Sequence, residues 1–132
     1  MRTFDDLVLN SNILFFLNAL LWFSVGFVGV SALVCVTALA SLLYHRYAER
    51  NEFLHTLDQI CAYLTLCTTL FVSAPFLNAV GVVILFFSLG FGLLFKITAH
   101  SSEQYDGWHC AWHMCVFFGQ MTLALSVDSK LL

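Results

Sequence analysis

Charge is what this chain has least of. Only 10% of its 132 residues are Asp, Glu, Lys or Arg, while 61% are hydrophobic and the mean hydropathy is +0.89; soluble domains carry about 25% charged residues. The scarcity is patterned. No charged side chain occurs from Leu7 to His45, from Gln59 to Phe95, or from Gly107 to Val127, gaps of 39, 37 and 21 residues. Roughly 20 residues cross a bilayer as a helix, so these gaps exclude an ordinary soluble domain and imply a polytopic membrane protein. The alternation of a transmembrane barrel is missing, which makes the spans α-helical. The first gap is too long, and its flanks are wrong, for a cleaved signal peptide. A net charge of −3 with no basic patch gives no reason to expect a nucleic-acid partner. Five cysteines are present, none in a C-x-x-C pair and all within or beside apolar segments, so they read as small polarizable packing residues and not as a disulfide framework. H-E-x-x-H, G-x-S-x-G and Walker patterns are lacking too, and with them the usual signatures of several enzyme classes.

Proline occurs once and repeats not at all, which points to a single domain over residues 1–132. The first uncharged gap, as one helix, would be roughly 58 Å long, nearly twice the hydrocarbon thickness. It therefore breaks or tilts strongly, and "FSVGFVG", with Ser24, Gly26 and Gly29, is the weakest turn. Pro75 in "VSAPFLN" divides the second gap. The reading is an all-α bundle of about five transmembrane helices at about 11–26, 29–46, 55–73, 76–97 and 107–126. The first two are short, which fits a thin bilayer such as the endoplasmic reticulum. On this count the second helix ends, the third starts, the fourth ends and the fifth starts on one face. Arg2, Arg46, Arg50 and Lys96 lie there, with only Lys130 opposite, so the positive-inside rule makes that face cytosolic.

Polar groups collect on the same face. "SLLYH" puts Ser41 and His45 four apart on one helical stripe, and "WHCAWH" does the same for His109 and His113. Asp58 stands at the edge of the 37-residue uncharged run. Ionisable groups within a membrane are costly and mark functional sites by default. Two imidazoles at i and i+4 chelate from one helix; a third from a neighbour completes a three-ligand set with an open position, the catalytic pattern for zinc. Zinc brings the pKa of its water to about 7, Asp58 fits the general acid–base role beside it, and Ser41 fits the hydrogen-bonding one. Blander roles stand beside these. Ser41 bonds back to a helix carbonyl in the ordinary case, and Asp58 caps the third helix. His55, at i, i+3 from Asp58, is a rival third ligand, whereas His55 and His100 otherwise read as solvated connector residues. Trp108, Trp112, Tyr47 and Tyr105 read as interfacial anchors.

The succession "SLLYH", "LD" at Leu57–Asp58 and "HCAWH" in the last helix resembles the CREST superfamily, which includes alkaline ceramidases, adiponectin-type receptors and relatives of myomaker. "YHRYAERNEFLHTLDQICAYL", "GWHCAWHMCVFFG" and "NSNILFF" look closest to the alkaline ceramidase branch. The resemblance implies a zinc ion held by His45, His109 and His113, with Asp58 and Ser41 serving its water, and hydrolysis of a ceramide-like lipid amide. It also implies seven spans where this chain has room for five, the missing pair falling between the fourth and last helices. Losing one hairpin preserves the sidedness of the site and leaves the substrate cavity open or completed by a second subunit in a homo-oligomer. The N-terminal segment tied to calcium in ceramidases has no counterpart, since "MRTFDDLVLN" offers only Asp5 and Asp6. Two other readings remain: a receptor-like or membrane-remodelling relative with a structural zinc, and a haem protein with His45 and one histidine of the last helix as axial ligands.

Overall fold

The computed structural model describes residues 7–47, 51–101 and 105–131. Arg2, Asp5, Asp6 and Arg50 lie outside the described residues, as do the side chains of Tyr47, His100 and Lys130. The chain is an all-α membrane bundle: α1 (Leu7–Ser11), α2 (Ile13–Ser24), α3 (Val28–Tyr47), α4 (Glu52–Ser73), a 3-10 turn (Ala74–Phe76), α5 (Ala79–Ser101) and α6 (Tyr105–Leu131). Four segments are long and apolar enough to cross a membrane: Val28–Arg46, Glu52–Phe76, Ala79–Ala99 and Tyr105–Val127. The first expected span falls short of that length. Its helix α2 has 12 residues and follows α1 after a break at Asn12, whose side chain donates to Val8 O at 3.0 Å.

The break between α2 and α3 falls in "FSVGFVG" for a local reason. Gly26 takes φ +86°, a left-handed conformation open to glycine. Its N–H bonds Phe23 O at 3.0 Å and the Phe27 N–H bonds Trp22 O at 3.0 Å, the paired bonds of a Schellman C-cap. The Trp22 and Phe27 rings meet edge-on at 6.0 Å, the apolar contact that accompanies such caps. Ser31 Oγ then donates to Ala19 O at 2.7 Å, closing the hairpin.

At the Pro75 end the expected fourth helix begins later, at Ala79 in place of about 76, because the proline is spent in the 3-10 turn and Leu77 is extended. Asn78 restarts the helix by accepting the Gly81 N–H at 2.8 Å. The helix also runs past Lys96 and carries His100 within it, where a connector was expected.

An apolar core joins α2, α3, α5 and α6 through Trp22, Val34, Leu85, Leu123 and Val127. It occupies the end of α3 and α6 away from His45 and His109. A polar seam runs beside it, with Trp22 Nε1 donating to Gln120 Oε1 at 3.0 Å and Gln120 Nε2 donating to Thr69 Oγ1 at 2.9 Å. Thr37 and Thr65 hydroxyls pair at 2.7 Å between α3 and α4. In lipid, where apolar contact alone gives helices no preference for one another, such hydrogen bonds act as glue. Among the described residues the α5 backbone lies close to α6 alone, and α5 reaches α4 only through long side chains such as Lys96 over Tyr63.

Candidate metal centre and its cavity

The last turns of α3 and the first turns of α6 come together, and the i, i+4 spacing of His109 and His113 sets both rings on one face of α6. His45 meets them from α3. Its ring centroid lies 4.7 Å from that of His109 and 6.0 Å from that of His113, and the α6 pair are 4.6 Å apart. One ring nitrogen from each histidine falls within 4.8 Å of the others, so the three could hold a metal ion. His45 and His113 are almost completely buried, at 1% and 2% exposure.

Burying the rings of His45 and His113 demands fixed partners. For His113 the partner is Ser11, whose Oγ lies 2.6 Å from Nδ1. With Nδ1 engaged, Nε2 is the atom left to face a metal, the arrangement by which outer hydrogen bonds orient histidine ligands. Aromatic rings wall the cluster: Phe15 against His113 at 5.0 Å, Tyr105 against His109 at 5.0 Å and Tyr44 against His45 at 4.9 Å. His55, the rival ligand, stays out of the cluster. It is exposed, 3.0 Å from Gln59 Nε2 through its own Nε2, with Tyr44 5.2 Å away.

Asp58 and Ser41 are brought together across α3 and α4, the Ser41 hydroxyl acting as hydrogen-bond partner of the Asp58 carboxylate. The capping role for Asp58 is taken by Asn51, whose side chain accepts the Phe53 and Leu54 N–H groups at 3.0 and 3.2 Å. Asp58 lies two turns further in. It is not one of the converging metal ligands. It does share with His109, His113 and Ser41 the wall of a cavity of about 940 Å³, a size that suits a ligand site. The near end of that cavity is polar, with Glu52, His55 and Asp58 of α4. Further along, Leu66, Leu85, Leu89 and Leu123 line it together with Thr65, Ser88 and Gln120.

Three residues of the site escaped the sequence. Ser11 carries no periodic signal and its partner is 102 positions away. Lys96 entered only as a topological charge, yet its ammonium turns inward, 5.7 Å from the Tyr63 ring centroid and 5.4 Å from that of Trp112. Trp112 is also a wall of the cavity. Gly92 makes room for it: a Cβ there would sit 2.9 Å from the Trp112 ring. No protein-family model, curated protein or solved structure matches the chain.

Proposed function

We propose that this chain is a zinc-dependent intramembrane hydrolase of a lipid amide, similar in kind to the alkaline ceramidases of the CREST superfamily. The observation that carries the reading is the convergence of three imidazole nitrogens within 4.8 Å beside a cavity whose wall also bears Asp58 and Ser41. His45, His109 and His113 would hold the metal. An all-imidazole set with room for a further ligand is the donor chemistry of catalytic zinc sites. When bound, zinc supplies Lewis acidity, which makes water nucleophilic near neutral pH and polarises a carbonyl.

The protein's own residues supply the rest. Ser41 orients the Asp58 carboxylate, which removes a proton from the water attacking the amide carbonyl. As the C–N bond breaks, Asp58 returns that proton to the departing nitrogen, so the products are an amine and a fatty acid. The stretch lined by Leu66, Leu85, Leu89 and Leu123 receives the acyl chain. Ser11 holds the His113 ring in its metal-facing tautomer. The charge asymmetry of the sequence supports a cytosolic orientation for the cluster.

Metal analysis of detergent-purified protein, combined with turnover of a panel of fluorescent lipid amides, tests this. Near one zinc per chain with amide cleavage is the expected result. Zinc without cleavage of any member favours a receptor-like or membrane-remodelling protein. Absence of metal with a haem absorption band overturns the proposal in favour of the haem protein.

A further inference from the structure

Lysine near the end of a membrane helix ordinarily extends its stem so that the ammonium reaches water. Lys96, three residues from the end of the Ala79–Ala99 span, sets its ammonium against the bundle. Its ammonium lies over the faces of Tyr63 from α4 and Trp112 from α6, spanning the space between the α4 and α5 backbones. Tyr63, Leu93 and Ile97 line the cavity and are still 58%, 57% and 60% exposed, so the gap is a lateral cleft that reaches the cavity. A cation at that place is aromatic-held and ligand-facing. In a medium of low dielectric constant it attracts an anion strongly. Its charge is felt at Asp58, which already has Ser41, and Glu52 lines the same wall. Both carboxylates lie on the α4 wall, so an anion meets Lys96 from the open α5 side of the cleft, where, among the described residues, no carboxylate lines the cavity.

We propose that Lys96, set between Tyr63 and Trp112 at the cleft between α4 and α5, forms an anion subsite that selects acidic lipid amides, in which the amine portion carries a carboxylate. The acyl tail lies along the leucine-lined stretch and the acidic head meets Lys96 at the polar end. The subsite itself stands on the geometry of the cleft; only the assignment of its occupant as a substrate rests on the hydrolase reading.

N-oleoylglycine and N-oleoylethanolamine differ by a carboxylate in place of a hydroxymethyl group, and so isolate the charge. Their binding to full-length, chelator-treated protein in detergent is measured by titration calorimetry, where no turnover interferes. N-oleoylglycine binds about ten-fold more tightly, as expected for a charge-assisted hydrogen bond. Lys96→Gln abolishes the preference and Lys96→Arg keeps it. N-acetylglycine, which has the acid without the tail, does not bind. Equal binding of the two oleoyl amides by the natural chain overturns the proposal without recourse to any variant. A preference that survives in Lys96→Gln, or tight binding of N-acetylglycine, overturns it as well. Addition of zinc then separates the two readings. A preserved preference with no cleavage of either amide removes the hydrolase and leaves the subsite, whereas cleavage without preference does the reverse.

Discussion

The hydroxyl of Ser11 lies 2.6 Å from Nδ1 of His113, tying the first helix to the last at the point where three imidazoles converge. One hydrogen bond thus serves two ends. It fixes which nitrogen of His113 is available, and it anchors a short N-terminal helix that could not span a bilayer by its own length. Ser11→Ala should weaken zinc binding by about 10–100-fold, the usual effect of losing an outer partner of a histidine ligand. A competition titration against a chelator reads this directly. Unchanged affinity would leave the contact a packing accident.

His109→Ala and His113→Ala should each remove most bound zinc, because two imidazoles are a poor tetrahedral set. His55→Ala should leave the metal in place, since that ring pairs with Gln59 and packs against Tyr44 outside the cluster. Metal content of the three purified variants decides it, and comparable loss from His55→Ala would mean that the ligands are misassigned.

Asp58→Asn separates metal binding from chemistry. On the proposed mechanism all three imidazoles remain, so zinc should be retained, while losing a general acid–base group should lower turnover by roughly 10²–10⁴-fold. Ser41→Ala, which removes one hydrogen bond to that carboxylate, costs about 10-fold. Zinc content and turnover are measured on one preparation. Full turnover with zinc bound would end the catalytic assignment, and loss of zinc would make Asp58 a ligand.

Much of this arrangement was legible before any coordinates. Long uncharged gaps marked the membrane segments, and Gly26 and Pro75 punctuated them because one permits a left-handed turn and the other forbids helix continuation. The i, i+4 spacing of His109 and His113 placed both rings on one face. What stayed hidden depended on the direction a side chain takes. Lys96 sits where an outward-reaching lysine belongs by sequence, and only the packing of Trp112 on Gly92 shows that an inward position exists. Ser11 and His113 meet through tertiary contact alone, which no local periodicity encodes.

Gln120 should matter more for stability than for catalysis. Its amide joins Trp22 on α2 to Thr69 on α4, so Gln120→Leu leaves an indole N–H and a hydroxyl without that partner in the bundle interior. Interhelical hydrogen bonds in membranes average about 0.6 kcal/mol and reach about 1.7, so losing both should cost roughly 1–3 kcal/mol. Reversible unfolding in mixed micelles measures this. Zinc content at low temperature should be unchanged.

Gly92→Ala places a methyl group against the Trp112 ring and should displace it. The expected readout is a shift in tryptophan emission that disappears when Trp112→Phe is added. An unshifted spectrum would show that the ring has slack to give.

Among the described residues, helix α5 has backbone proximity to α6 alone and leaves much of its other flank exposed, including Val83, Phe86, Leu93 and Ile97. The cavity would consequently be a room with one wall supplied by the membrane. In a bilayer, acyl chains would stand where a neighbouring helix would otherwise close the space, and a lipid would change from wall to occupant by turning inward. Affinity for any such guest is then a joint property of polypeptide and solvent. It shifts with the thickness and lateral pressure of the lipid in which the protein is embedded, even when no residue has been altered.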